Sequence, residues 1–150
     1  MDTNFVVLAP MEEQDFPLEW TRDHLLVAAQ RYITVLEKAK TLLPAAEDRL
    51  LSGSAGTVYL KKMGHRPLSG EDSERLIQTL GTDDDKRALI SFSQAQQILS
   101  ERLSKTKGIQ FIMEQAGVPY LKQRRRLSKP ELWKPHEMIQ VVEVLKRMQI

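Results

Sequence analysis

The chain has 150 residues, enough for one ordinary domain or two very small ones, and its 41% hydrophobic and 28% charged residues are globular usage. It has no cysteine, which excludes disulfides, thiol catalysis and cysteine-based zinc or iron–sulfur sites. The net charge of +2 divides into −4 over residues 1–104 and +6 over residues 105–150, so a mildly acidic body carries a basic end suited to a polyanion.

Residues 1–20 mix apolar and acidic side chains with Pro10 and Pro17 and read as an irregular arm that packs Phe5, Phe16 or Trp20 onto the body. That opening lacks a basic segment followed by an apolar run, and no apolar stretch reaches spanning length, so a soluble cytoplasmic protein is expected. Thr21 is a candidate cap, since its hydroxyl can accept from the free N–H groups of a first helical turn. Over 22–43, Leu25, Leu26, Ala29, Ile33, Leu36 and Leu43 recur at helical steps. Pro44 ends that helix or bends it into a short helical piece at 45–51. Residues 52–56 read as a flexible break, and Thr57-Val58-Tyr59-Leu60 as an extended connector or minor strand. Residues 64–70 form a loop. Ser69 with Asp72 makes a capping box for a helix at 71–80, built on Leu76, Ile77 and Leu80 and closed by Gly81. Thr82 followed by Asp83, Asp84 and Asp85 opens a helix over 83–104, with Ala88, Leu89, Phe92, Gln96, Leu99 and Leu103 down one side. A short helix at 109–116 follows Gly108. Gly117-Val118-Pro119 is a tight break, and a basic helix then runs to residue 128. Pro130 and Pro135 bracket a loop holding Trp133. The last helix, at 135–148, turns Met138, Ile139, Val142 and Leu145 inward.

Residues 107–127 are the informative stretch: a short apolar helix, a glycine, an apolar residue and a short basic helix. The sharp turn needs left-handed dihedrals, which Gly117 supplies. Val118 can plug the angle between the helices, and Pro119 suits a first turn, where its missing N–H costs nothing. The second helix then offers Tyr120, Lys122, Gln123, Arg124, Arg125 and Arg126, with Lys129 just beyond, to a major groove and its flanking phosphates. Arginine reads guanine bidentately, glutamine reads adenine and lysine neutralises phosphate. At about 100° per residue, Tyr120, Gln123 and Leu127 share the inward face, Lys122, Arg125 and Arg126 lie outside, and Arg124 lies at an edge.

On these residues the stretch resembles the Cro/repressor-type helix-turn-helix of phage and mobile-element regulators. Ala116-Gly117-Val118, Tyr120, Arg126-Leu127 and the run Met138, Ile139, Val142, Leu145 stand in the places of that family's pattern. The resemblance covers residues 93–148, with the end of the 83–104 helix as the first helix of the motif. It departs at Met113, where a small alanine is usual, and at Gln123 and Arg126, where apolar residues are usual; Leu121 or Leu127 could anchor the helix instead. The resemblance implies a DNA-binding regulator or accessory factor of a bacterial, phage or mobile-element system, acting without catalysis. Many such proteins bind as dimers, so self-association through the N-terminal helices is expected.

A second reading stays open. The protein could be a non-enzymatic interaction or assembly protein whose arginines meet an acidic partner, or pair internally with Asp83, Asp84 and Asp85 or with Glu12 and Glu13. RNA binding is disfavoured because spaced aromatics for stacking are missing. Residues 53–62 lack the Gly-Lys-Ser/Thr of a phosphate loop. His24, His65 and His136 have no metal-ligand spacing, although Lys61, Lys62, His65 and Arg66 could make a small second basic site. No nucleophile elbow or paired acids mark a catalytic centre, and no cofactor is indicated. Trp133 reads as a core plug rather than a base-stacking platform. The expected architecture is all-α, a helical N-terminal part at 1–81 supporting a helix-turn-helix module at 82–150.

Overall fold

The computed structural model describes residues 20–150, with Tyr120 described by its backbone alone; Phe5, Phe16, Glu12 and Glu13 lie outside the described residues. Among the described residues every regular element is helical. The α-helices are α1 Arg22–Lys38, α2 Ala55–Lys62, α3 Gly70–Leu80, α4 Asp83–Ser104, α5 Ile109–Gln115, α6 Tyr120–Ser128 and α7 Pro135–Arg147. Tight 3-10 turns occupy Ala39–Ala45, Asp48–Leu50 and Pro130–Leu132.

Side-chain capping sets the helix starts. Ser69 and Asp72 exchange hydrogen bonds with each other's backbone at the head of α3, and Thr82 and Asp85 do the same at α4. At α1 the reciprocal partner of Thr21 is a histidine: Thr21 N–H donates to His24 Nδ1 at 3.0 Å, and His24 N–H donates to Thr21 Oγ1 at 3.3 Å.

Two segments differ from the sequence expectation. α1 leaves the α path at Lys38, and the chain tightens into a 3-10 turn that contains Pro44. A proline excludes the residue before it from α geometry and clashes with the carbonyl four back, so the distortion precedes the ring. Residues 57–60 are not extended. They lie in α2, started by Ser54, whose Oγ accepts from Thr57 N–H at 3.3 Å. Here tertiary burial overrides β-propensity, since Val58 and Lys61, three apart, both face inward. The Lys61 ammonium donates to Asp72 and to the Ser52 carbonyl, the latter at 2.9 Å. Burial alone would raise the Asp72 carboxyl, but Lys61 and the N–H groups of Ser52 and Ser69 hold it well below the usual carboxylate range. Lys62 donates to the Ala46 carbonyl and pairs with Asp48. Both lysines of the supposed second basic site are therefore taken up internally.

The core passes without a break across residue 81. α1 packs against α4 and α7, with Tyr32 stacked on Phe92 at 3.9 Å between centroids. Three contacts fasten α1 at its ends: Arg22 donates to the Leu145 carbonyl, Arg102 to the Trp20 carbonyl, and Lys38 pairs with Asp85 at 2.8 Å. The apolar face of α1 is thus part of the core on which α5, α6 and α7 are built. Asp85 serves as cap partner and ion-pair partner at once, so the acidic cluster at 83–85 is explained by the helix start and by α1.

Candidate nucleic-acid interface

Glycine geometry delimits α5. Gly108 enters it with φ of 74° and Gly117 leaves it with φ of 79°, both left-handed. At the exit Gly117 N–H donates to the Glu114 carbonyl at 3.0 Å and Val118 N–H to the Met113 carbonyl at 2.9 Å, a Schellman closure. Met113 and Val118 are both buried, completing the apolar contact of that motif. Val118 therefore fills the angle between α5 and α6, as its position predicts. Pro119 is extended, and its carbonyl accepts the Gln123 N–H of the first turn of α6.

α6 has two chemically distinct sides. Leu121, Lys122, Arg124, Arg125 and Ser128 are exposed, as is Lys129 just beyond the helix, while Gln123 and Arg126 are buried and Leu127 is partly buried. Two of the residues expected to touch DNA are thus withdrawn from the surface: Gln123 is 5% exposed and Arg126 6%. Of the two leucines that could anchor the helix, only Leu127 packs on the core, and Leu121 is 76% exposed.

Arg126 is buried because α7 supplies its counter-charge. Arg126 Nε donates to Glu137 Oε1 at 2.8 Å and Nη2 to Oε2 at 3.1 Å, a bidentate pair. Lys134 N–H also donates to Glu137 Oε1, at 3.0 Å. Burial works to raise the Glu137 carboxyl, but Arg126 and the Lys134 N–H outweigh it and hold the group below its ordinary value. The internal partner of the arginine run is thus Glu137 rather than the acids at 83–85.

A chain of hydrogen bonds ties the same helix to α4. Trp133 Nε1 donates to Ser100 Oγ at 2.7 Å, and Ser100 Oγ donates to the Arg126 carbonyl at 2.7 Å. Gln96 Nε2 donates to the Trp133 carbonyl at 2.8 Å. Trp133 is 2% exposed, so it is the core plug and not a stacking platform. Gln96, the polar member of the α4 stripe, holds the loop between α6 and α7. Gln123 is less well served, since its buried Oε1 has no hydrogen-bond partner among the described residues.

The outer side of α6 therefore carries Lys122, Arg124, Arg125 and Lys129, none paired with a carboxylate among the described residues. No acidic residue occurs between Glu114 and Glu131. Clustered cations of this kind raise the local positive potential of the surface. Tyr120 is placed by its backbone in the first turn of α6. Gln123 falls on the inward face that the sequence expects, whereas the burial of Arg126 is not legible there because its partners, Glu137 and Ser100, are remote in sequence. Glu137 two residues after Pro135, at a helix start, is the signal that could have raised an ion pair. Among the described residues no three His, Asp or Glu side chains gather as metal ligands, and no helix is long and apolar enough to cross a membrane. Comparison with protein-family models, curated proteins and solved structures returned no match.

Proposed function

We propose that the protein binds double-stranded DNA, with α5 and α6 as a helix-turn-helix and α6 as the recognition helix. The carrying observation is the two-sided character of α6, with a buried polar side locked to α4 and α7 and an outer side of cations that make no ion pair among the described residues. On this reading α6 enters the major groove by its first turns. Arg125, near the middle of the outer side, reaches base edges, while Lys122, Arg124 and Lys129 neutralise phosphates. The fastening of α6 through Ser100, Trp133 and Glu137 lets it meet the groove without first being ordered. A regulator or accessory factor of a phage or mobile element, working in the cytoplasm, is the role the sequence resemblance supports. Self-association would have to use a surface other than the apolar face of α1.

The test is a salt series with random duplex DNA. Three phosphate contacts predict a log–log slope of about −2.7, and each single alanine variant at Lys122, Arg124 or Lys129 makes it shallower by about one unit. If replacing Lys122, Arg124 and Arg125 together by alanine leaves low-salt binding unchanged, the DNA reading is wrong. A protein partner is then the alternative, favoured by the exposure of Tyr59 on α2 and of Met63 just past its end.

A further inference from the structure

Leu121 is the most exposed large apolar side chain described, at 76%, and it sits in the first turn of the most basic helix of the protein. Its place on that helix is specific. Gln123, Arg126 and Leu127 define the inward side, and at about 100° per residue the opposite direction falls on Leu121, Arg125 and Ser128. Arg124 lies to one side of that line and Lys122 and Lys129 to the other. An apolar group thus stands at the centre of a cationic face, beside an arginine one turn away.

Water and phosphate are poor partners for such a group, and a protein surface acidic enough to meet the four cations would not favour it. The major groove offers both chemistries side by side. Its floor carries the C5-methyl of thymine, an apolar knob, and the O6 and N7 acceptors of guanine, which arginine takes bidentately. First-turn residues of a recognition helix are those that reach the floor. We infer that Leu121 is a specificity-determining residue that packs on a thymine methyl while Arg125 takes a nearby guanine; this rests on the reading of α6 as the recognition helix. Leu121 and Arg125 are separated by about 6 Å along the axis. With the helix lying along the groove, that spacing corresponds to about two base-pair steps of 3.4 Å. The same feature selects DNA over RNA, because uracil lacks the methyl and the A-form major groove is too narrow for a helix.

The experiment starts by selecting preferred duplexes from a randomised pool with the full chain. Deoxyuridine is then substituted for each thymine of the preferred site, which deletes one methyl and leaves base pairing unchanged. For the wild type, one substitution should weaken binding about fourfold, the effect of removing one buried methyl from contact. Leu121→Ala should bind the thymine duplex more weakly and show no further loss with deoxyuridine at that position. Leu121 is exposed, so the variant should keep the wild-type circular dichroism and urea midpoint, which are measured alongside. Sequence preference that persists with no deoxyuridine effect overturns the inference and leaves DNA binding standing. An equal deoxyuridine loss in wild type and Leu121→Ala also overturns it, because the methyl is then read elsewhere. Binding at low salt with no sequence enriched also overturns the inference, whereas failure to bind any duplex at low salt overturns the DNA reading itself.

Discussion

Replacing Arg126 by alanine separates a structural arginine from a DNA-binding one. In the folded chain its side chain is 8% exposed and that of Glu137 is 15% exposed, with two parallel N–H···O contacts between them. Removing the guanidinium leaves a largely desolvated carboxylate. It then keeps the Lys134 N–H at 3.0 Å and the nearby charge of Lys122. Breaking a buried ion pair from one side costs about 3–5 kcal/mol. The retained N–H and the residual exposure of Glu137 put the expected loss at the lower end, about 3 kcal/mol. Domains of this size are stable by about 5–15 kcal/mol, so the variant should still fold.

Removing both charges is different. Arg126→Met combined with Glu137→Leu leaves no orphaned charge, and such replacements are neutral or stabilising by about 1–4 kcal/mol. Urea denaturation of the wild type, Arg126→Met, Glu137→Leu and the double variant closes the thermodynamic cycle, with Arg126→Ala measured beside them. The midpoint should fall for Arg126→Ala with an unchanged m-value, and it should recover in the double variant. The double variant should also keep the wild-type salt slope for duplex DNA, since no phosphate contact is lost. Suppose instead that Arg126→Ala changes stability by less than about 0.5 kcal/mol, the range of an ordinary surface substitution, and makes the salt slope one unit shallower. Arg126 would then face DNA, and the inward assignment of this side of α6 would be refuted.

Gln123→Leu tests the same side from a different residue. The buried Gln123 Oε1 has no partner among the described residues, and removing such a group should raise stability by about 1–3 kcal/mol in urea denaturation, with duplex affinity unchanged; a loss of affinity on one preferred sequence would mean that Gln123 reads a base. His24 predicts a pH effect at the start of α1. Burial lowers its pKa below 6.5 despite the neighbouring Asp23, so the stabilisation is complete above pH 6.5 and is lost as the pH falls through the lower folded-state value. Protonation of Nδ1 also removes the acceptor of the Thr21 N–H. The loss should be a fraction of the roughly 0.5–2 kcal/mol that a cap contributes, because the ring is partly exposed, and His24→Gln should flatten the dependence measured by urea midpoint between pH 7 and 5. A wild-type midpoint that is constant over that range would show that the histidine does not serve as the cap partner.

The helical layout was legible because its determinants are local. Ser69 with Asp72 and Thr82 with Asp85 announce two helix starts within four residues each, and Gly117 announces a turn through its own backbone. Thr57-Val58-Tyr59-Leu60 misled because β-branched propensity is a weak preference with no strand to satisfy it. What decides there is the pairing of Lys61 with Asp72, eleven residues on. The sides of α6 were legible only to within a rotation. Periodicity puts Tyr120, Gln123 and Leu127 inward, whereas the described side chains that turn in are Gln123, Arg126 and, in part, Leu127, so the inward side is rotated towards Arg126. That rotation carries two consequences together. It brings Arg126 inside, where α7 answers it with Glu137, and it turns Leu121, a candidate anchor on periodicity, out to the middle of the cationic face. Apolar periodicity cannot resolve such a rotation in a helix of nine residues with few apolar positions, because any of several faces satisfies it. The remote carboxylate resolves it. The buried arginine and the exposed leucine are therefore one structural event, and variants that release Arg126 from Glu137 should change what Leu121 touches.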